Sequence, residues 1–255
     1  MTMNRVGLWT LIKREMIRSI KVINQVIWPP IIMTLLYVFV FGLALGKQLA
    51  NVQGVSYAEF LIPGLIMLQV IDSSYGECSS SLFQARFMGS IQEMLVAPMS
   101  AGEIVFGYIF GSLGRAILIA GLITVVGFAV VHTYPVNWPL YFAVLIVVSI
   151  LFSALGLIFG LLAEKFDHIA VLTTFAITPL VFVGGVFTNA ASLPPIMRAF
   201  ELVNPMFYTI DAFRYSYTGQ SYLPLWQSIG AICVLAAICV GIVLRMMSTG
   251  YKVRA

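Results

Sequence analysis

Three charged residues, Asp72, Glu77 and Arg115, could take part in chemistry because each lies inside a long apolar run of the sequence. A charge in the hydrocarbon of a membrane costs several kcal/mol unless it is paired or hydrated. Asp72 lies 11 residues before Phe83 and Arg115 lies 11 residues after Ile104, the ends of their runs. At about 1.5 Å per helical residue, both charges are roughly 16 Å deep. The sequence therefore predicts an intramembrane ion pair between Asp72 and Arg115 with a structural role, while Glu77 lies nearer the end of its run.

Groupings typical of catalysis are not found in the sequence. His132 and His168 are isolated between apolar runs and are interpreted as ordinary loop residues, and the three cysteines lie inside apolar runs. The segment GLALGK at residues 42–47 resembles a phosphate-binding loop, but its glycine spacing is one residue short and Gln48 stands where that motif has Ser or Thr. We therefore expect no catalytic, metal-binding or cofactor-binding residues, and we expect that the chain is not an enzyme.

The composition is that of an integral membrane protein. Of the 255 residues, 60% are hydrophobic and 9% are charged, against about 25% charged residues in soluble domains. A helix needs about 20 apolar residues to cross a membrane, and six runs have this length: 26–46, 60–83, 104–131, 139–163, 169–188 and 226–247. The prediction is an all-α integral membrane fold with six transmembrane helices, a single domain over residues 1–255, without a removable signal peptide.

Residues 4–23 precede the first run and have the pattern of an amphipathic helix. Its two faces are formed by Leu8, Trp9, Ile12, Met16 and Ile20 and by Lys13, Arg14, Arg18 and Lys21. Tryptophan beside basic residues is typical of a helix that lies in the plane of the membrane surface. We expect an N-terminal interfacial helix in contact with lipid headgroups.

The distribution of Lys and Arg predicts the orientation. Ten of these residues flank the runs on the side that holds both termini, whereas the opposite side has Lys47, Arg198 and Arg214. Because basic residues accumulate on the cytoplasmic side, we expect both termini in the cytoplasm, which agrees with an even number of spans. The net charge of +4 is interpreted as this topology signal and not as a nucleic-acid-binding surface.

The segment between the second and third runs is predicted to lie on the cytoplasmic side. Its sequence FMGSIQEMLVAP predicts a short helix over residues 87–97 that Pro98 ends. An apolar stripe at helical spacing would be formed by Met88, Ile91, Met94 and Leu95. Two interpretations remain open: a docking helix for a soluble partner, or a surface helix folded back on the chain's own spans.

Residues 184–215 are too apolar for an ordinary loop and too interrupted for a span. Proline breaks continuous helices, and this segment contains Pro194, Pro195 and Pro205. Its four charges would be costly in lipid; they are Arg198, Glu201, Asp211 and Arg214. We expect short outer re-entrant helices over residues 189–222, with the four charges paired with one another near the water boundary.

Two further patterns concern contacts between spans. Glycines four residues apart allow helices to approach closely, and such pairs at positions 42/46, 107/111 and 156/160 are interpreted as packing sites within the chain rather than as a dimer seam. Aromatic side chains in the first and fifth runs either face lipid or line a pathway for an amphiphile. The candidate pathway residues are Tyr37, Phe41, Glu77, Phe175 and Phe182.

Four segments together resemble the membrane subunits of ABC-2-type ABC transporters, a family that includes bacterial drug, polysaccharide and nodulation-factor exporters. They are the interfacial helix, FLIPGLIML at 60–68, SIQEMLVAPMSAGEI at 90–104, and residues 167–215, from DHIAVLTTFAITPLVFVGGVF to NPMFYTIDAFRY. The similarity covers nearly the whole chain. It implies that helix 87–97 is a coupling helix seated in a cleft of a separate ATPase subunit, and that residues 184–215 form an outer gate.

The resemblance also implies roles for particular residues. Coupling to the ATPase subunit would involve Phe87, Ser90, Ile91, Glu93, Met94, Leu95 and Pro98. The outer gate would be formed by Gly184, Gly185, Phe187, Pro194, Pro195, Asn204, Pro205, Tyr208 and Arg214.

The expected function is that of the permease subunit of an ATP-driven exporter in the bacterial cytoplasmic (inner) membrane. By this resemblance, two copies of the chain assemble with two ATPase subunits, which bind ATP and Mg²⁺. The substrate would be an amphipathic, lipid-linked, glycan-like or drug-like molecule. Membrane lipids are further partners, and no nucleic acid is expected. The alternatives are an ion-coupled secondary transporter that uses Asp72 and Glu77, and a membrane scaffold without transport.

Overall fold

The computed structural model describes residues 4–44 and 54–252, and these residues form an all-helical fold. Several residues that the predictions above used lie outside the described residues: Gly46, Lys47, Gln48 and Arg254. The side chain of Leu95 also lies outside the described part of the chain.

The chain begins with two helices that are separated by a single residue. Helix α1 spans Arg5–Lys21, and Oδ1 of Asn4 caps its first turn by accepting a hydrogen bond from the N–H of Gly7 at 2.9 Å. Val22 leaves helical geometry, with φ −110° and ψ 27°. Helix α2 then spans Ile23–Tyr37 and continues as a π-helical stretch, Val38–Ala44. The amphipathic α1 is therefore an element distinct from the apolar α2.

The remaining helices follow in chain order. They are α3 (Tyr57–Phe87), α4 (Ser90–Val96), α5 (Ala101–Val131), α6 (Trp138–Leu162), α7 (Phe166–Val186), α8 (Pro195–Val203), α9 (Pro205–Thr218) and α10 (Leu225–Thr249). Helix α7 contains two π-helical stretches, Thr173–Ile177 and Phe182–Val186.

Helix α3 is the centre of the bundle. It packs against α5, α6 and α9, and most of its 31 residues are buried. Helix α6 approaches it closely at Gly156, where a methyl group would lie 2.5 Å from the carbonyl oxygen of Tyr75. Because a side chain at this position would collide with the backbone of α3, glycine is required for the approach.

Among the described residues, five helices are long and apolar enough to cross a membrane: α2 over Ile23–Gly42, α5, α6, α7 and α10. The sequence predicted six spans, and α3 is the helix that differs. It has the length of a span, but its charged residues Glu59, Asp72, Glu77 and Arg86 make it less apolar. The burial of α3 accounts for Glu59, Glu77 and Arg86, because side chains that contact other helices do not have to be soluble in lipid, whereas Asp72 is on the exposed side of the helix.

Candidate functional site

Glu77 of α3 holds three helices together. Its Oε1 accepts hydrogen bonds from Nη2 of Arg18 at 2.7 Å and from the hydroxyl of Ser19 at 2.9 Å, both on α1. Its Oε2 forms an ion pair with Nη1 of Arg115 on α5. The Glu77 side chain is 5% exposed. Two guanidinium groups from different helices therefore compensate a buried carboxylate, which would otherwise be strongly destabilising.

The predicted ion pair between Asp72 and Arg115 was wrong. Arg115 forms an ion pair with Glu77. Asp72 is exposed and interacts electrostatically with Arg115, but the two do not form an ion pair. The prediction compared depths along the helices and ignored direction around them. Asp72 and Glu77 are five residues apart on α3, so at about 100° per residue they point roughly 140° apart.

A second buried carboxylate, Glu15 of α1, extends this set of contacts. It accepts hydrogen bonds from Nη2 of Arg14 at 2.8 Å, from Nε of Arg18 at 3.2 Å and from the hydroxyl of Ser81 at 2.6 Å. Gly111 of α5 makes room for it, since a methyl group there would overlap Cβ of Glu15. Sequence reasoning missed Glu15. The signal that could have found it is a single acidic residue among the basic residues of an amphipathic helix.

The contacts reach the short helix α4 through Tyr108 of α5. Nη2 of Arg14 donates to the hydroxyl of Tyr108 at 3.1 Å, and this hydroxyl donates to Sδ of Met94 on α4 at 3.7 Å. A continuous series of contacts therefore leads from α4 to Glu77 at the centre of the bundle. We call the following side chains the polar network: Arg14, Glu15, Arg18, Glu77, Ser81, Tyr108 and Arg115.

Helix α4 has two different faces. Ile91 is 3% exposed and, with Met94 packed beside it, belongs to a buried apolar cluster that also contains side chains of α1, α3 and α5. Val96 at the end of α4 is 87% exposed, and Phe87 and Met88, which precede α4, are also exposed, Met88 at 77%. The expectation that Met88, Ile91 and Met94 form one exposed stripe was therefore wrong. In a seven-residue helix that lies against the bundle, half of the circumference must face inward, and helical spacing alone does not show which half.

The other predicted coupling residues lie at the ends or on the outer side of α4. The hydroxyl of Ser90 donates to the carbonyl oxygen of Ala85 at 3.3 Å, and Glu93 is exposed. The carbonyl oxygen of Pro98 accepts a hydrogen bond from Nδ2 of Asn4 at 3.3 Å. The start of α1 is thus tied to the segment that follows α4.

Aromatic side chains of α2 and of the end of α7 meet in a cluster. The ring centroids of Tyr37 and Phe182 are 6.1 Å apart, those of Phe41 and Phe187 are 4.9 Å apart, and those of Phe182 and Phe187 are 5.0 Å apart. Phe175 is 77% exposed, and Glu77 belongs to the polar network. The structure therefore brings together three of the five candidate pathway residues and leaves Phe175 and Glu77 elsewhere.

The region between α7 and α10 is tied to the end of α7 by polar contacts. Nη2 of Arg214 donates to the carbonyl oxygen of Gly185 at 2.5 Å, and its guanidinium lies 3.8 Å from the ring centroid of Phe60. Gly185 has φ +94°, a conformation that favours glycine. Nδ2 of Asn204 donates to the carbonyl oxygen of Leu180 at 2.5 Å, while its Oδ1 caps α9.

The prolines and neighbouring residues of the predicted gate have local roles here. Pro194 precedes α8, and Pro195 and Pro205 are the first residues of α8 and α9, where a missing N–H is not costly. Gly184 packs against Met206 of α9, and the hydroxyl of Tyr208 donates to the carbonyl oxygen of Leu202 at 2.7 Å.

The four charges of this region do not pair with one another, so the predicted mutual ion pairs were wrong. Arg198 donates to the carbonyl oxygen of Ala190 at 3.0 Å, and Asp211 accepts hydrogen bonds from the N–H of Tyr222 at 2.7 Å and the hydroxyl of Ser228 at 3.0 Å. Backbone groups left free by the short helices are nearer partners than the other charges. Burial lowers the pKa of Arg214 to about 10 and raises the pKa of Glu201 to about 7.

The polar network can act mechanically. Its two carboxylates are occupied by arginine and hydroxyl groups, and no three His, Cys, Asp or Glu side chains of the described residues are placed to hold a metal ion. It joins α4 to α1, and α1 to α3 and α5. Packed interfaces shift between discrete arrangements rather than deform continuously. A displacement of α4 would therefore shift the positions of α1, α3 and α5.

An all-helical bundle with five apolar helices of membrane-spanning length defines an integral membrane protein. The chain belongs to the ABC-2 type transporter family, whose model matches residues 6–218. The family resemblance seen in the sequence is thereby confirmed. Membership identifies the chain as the membrane subunit of an ABC transporter and implies that it works with an ABC ATPase.

Individual relatives agree with this assignment. The chain is 35% identical over 229 residues to the inner membrane transport permease YadH of Escherichia coli (strain K12), and the alignment covers 90% of each protein. It is 27% identical over 206 residues to nodulation protein J of Rhizobium leguminosarum bv. trifolii, which covers 80% of this chain and 78% of that protein. Nodulation protein J of Rhizobium meliloti (strain 1021) is 26% identical over 205 residues. Transport permeases among the relatives are consistent with a membrane subunit that has no catalytic role.

Proposed function

We propose that the chain is the permease subunit of an ATP-driven exporter and that helix α4 couples it to a separate ATPase subunit. The observation that carries the proposal is the contact between Met94 of α4 and Tyr108, which connects α4 to the polar network. A helix that only covered the ends of the spans would not need a polar connection to a buried carboxylate. This connection gives a movement of α4 a route to Glu77 and Arg115.

The proposed topology has six spans, with α3 as the second and both termini in the cytoplasm. A helix of 31 residues is about 46 Å long, which exceeds the ~30 Å of hydrocarbon that it has to cross. Its burial among α5, α6 and α9 supports a span shielded from lipid by its neighbours. The excess of basic residues near the termini supports the orientation.

The proposed docking surface for the ATPase subunit is the outer face of α4 together with Phe87 and Met88, which precede it. Exposed apolar side chains on a cytoplasmic helix favour contact with a soluble partner, and Phe87, Met88 and Val96 are exposed beside Glu93. Ile91 and Met94 face the bundle, so they would fix α4 to the spans rather than touch the partner. Both interpretations of this helix from the sequence then apply: its outer face docks the partner, and its inner face packs against the spans.

The proposed complex contains two copies of this chain and two ATPase subunits, with ATP and Mg²⁺ bound by the latter. Closure of the ATPase subunits would push both α4 helices and tilt the spans as rigid bodies. The aromatic cluster of Tyr37, Phe41, Phe182 and Phe187 would border the route, and α8 and α9 would form the gate at its outer end. Ordinary aromatic walls suit an amphipathic cargo, such as a lipid-linked, glycan-like or drug-like molecule.

The alternative of an ion-coupled transporter receives less support. Glu77 is occupied by Arg18 and Arg115, so both of its carboxylate oxygens already have cationic partners and neither is open to an incoming cation. Transport by the purified chain in vesicles with an ion gradient and no ATP would favour this alternative.

Co-purification with the ATPase subunit tests the proposed function. Met88→Asp combined with Val96→Asp places one charge just before α4 and one at its end, and it should remove the ATPase subunit from the purified complex. The matched control is Tyr134→Asp combined with Val136→Asp, which alters two other exposed side chains, between α5 and α6, and should leave the complex intact. An ATPase subunit that stays bound to the α4 variant would contradict the docking assignment.

A further inference from the structure

A cavity of about 520 Å³ lies between α1 and the last turns of α3, beside the start of α4. On one side its wall is α1, which contributes four cations: Lys13, Arg14, Arg18 and Lys21. The opposite wall contains uncharged polar groups, including Ser81, Gln84 and Ser90. The cavity is therefore a groove with cations along one wall and hydrogen-bonding side chains along the other. We call it the basic groove.

The basic groove has an excess of positive charge. Glu15 is the carboxylate of its lining, and Arg14, Arg18 and Ser81 already donate to it. Lys13 and Lys21 form no ion pair or hydrogen bond with any residue that the structure describes. Their ammonium groups are therefore available to a ligand from outside the chain, and the field of the groove favours an anion.

The remaining surface of α1 indicates where this anion would come from. Trp9, Met16 and Ile20 are exposed on α1 at 63%, 41% and 60%, and an apolar face of this kind lies in the membrane interface. With the termini in the cytoplasm, the basic groove then lies at the level of the phosphates of the cytoplasmic leaflet. Lysine binds phosphate as a point charge and arginine as a planar donor, so the lining suits this group.

We propose that the basic groove is a binding site for the phosphate group of an anionic lipid in the cytoplasmic leaflet. The proposal rests on the topology given above and not on transport activity. A protein ligand, such as an acidic segment of the ATPase subunit, would be the competing occupant because the groove opens beside α4. The apolar residues of α1 favour the lipid, since a soluble partner gives no reason for an exposed tryptophan and isoleucine on the same helix.

Native mass spectrometry of the purified full-length chain tests the proposal. The protein is released from nanodiscs that contain equal amounts of phosphatidylglycerol and phosphatidylcholine, and the lipid retained is measured. We expect phosphatidylglycerol to be retained in excess. Lys13→Gln combined with Lys21→Gln should reduce that excess roughly tenfold, because each cation contributes to attraction of an anionic headgroup. Arg5→Gln combined with Lys165→Gln removes the same charge outside the groove and should retain lipid as the wild type does.

Two results would overturn the proposal. The first is equal lipid retention by the groove variant and the wild type. The second is displacement of phosphatidylglycerol by about 10 mM inorganic phosphate at a constant ionic strength close to the physiological value. This result would assign the site to soluble phosphate. If the groove variant keeps its lipid and also loses the ATPase subunit in co-purification, the groove is a protein-binding surface.

Discussion

Arg115 of α5 and Glu77 of α3 form an ion pair inside the helical bundle, and Arg18 of α1 contacts the same carboxylate from the other side. Three helices distant in sequence thus meet at one charge. The ion pair lies at the end of the contacts that begin at α4, so it is the point at which a movement of α4 would reach the centre of the spans.

The stability of variants at this ion pair should depend on which partner is removed. Glu77→Gln leaves Arg115 without its carboxylate and Arg18 with Glu15 alone, and it should destabilise the fold by about 3–5 kcal/mol. Arg115→Gln should cost less, because Arg18 still compensates Glu77, and the double variant should cost less than the sum. Thermal unfolding of purified protein in detergent, followed by tryptophan fluorescence, measures these differences.

Asp72→Asn is the matched control for this series. Asp72 is exposed and forms no ion pair among the described residues, so replacing its charge with the neutral amide of Asn removes no ion pair and should not lower the stability. An Asp72→Asn variant as unstable as Glu77→Gln would show that the functional partner of Arg115 is Asp72 after all.

The close approach of α6 to α3 should fail when Gly156 receives a side chain. The added methyl group of Gly156→Ala would lie 2.5 Å from the carbonyl oxygen of Tyr75, and overpacking against backbone costs about 1–3 kcal/mol. The midpoint Tm in detergent should fall. Gly241→Ala in α10 is the control, since nothing lies within 4 Å of the added methyl group. Equal Tm values for the two variants would contradict the packing described here.

The stability of the outer region should decrease as the pH rises through about 7. Burial raises the pKa of Glu201 to about 7, above the ordinary value of about 4.3 for Glu. The folded state therefore holds this proton more tightly than the unfolded state, so the contribution is fully present below about pH 4 and is lost as the pH rises through about 7.

Glu201→Gln removes this titration while keeping the size of the side chain. Relative to this variant, the wild type should lose stability on the order of 1–3 kcal/mol between pH 5 and pH 8. Differential scanning fluorimetry across this pH range measures the difference. Wild-type and variant Tm curves that run parallel would show that Glu201 does not titrate in this window.

The helices themselves could be predicted from the sequence because their signals are local. Apolar runs of spanning length, the amphipathic pattern of residues 4–23 and the prolines near 194 and 205 predicted elements whose observed ends differ by a few residues. Pro195 and Pro205 do begin helices, as their missing N–H groups favour. The family could also be predicted from the sequence, because four segments match its pattern in combination.

The contacts between helices could not be predicted in the same way. Whether Arg115 meets Asp72 or Glu77 depends on the rotation of α3 about its axis, and hydropathy along the chain does not contain that angle. The same holds for Ile91 on α4, which turned out to face the bundle. Glu15 was missed because its contact with Ser81 forms only when α1 packs on α3.

The most direct test of transmission through the polar network is whether ATP changes the distance between the outer gates of the two copies. The three native cysteines are replaced, and Met197→Cys in α8 of each copy carries a spin label. Electron paramagnetic resonance then measures the distance between the two labelled gates. In the complete complex, ATP should change this distance in the wild type and in Asp72→Asn. In Glu77→Gln the ATPase subunit should remain bound, while ATP leaves the distance unchanged. A Glu77→Gln complex whose gate distance responds to ATP as the wild type does would contradict transmission through the polar network.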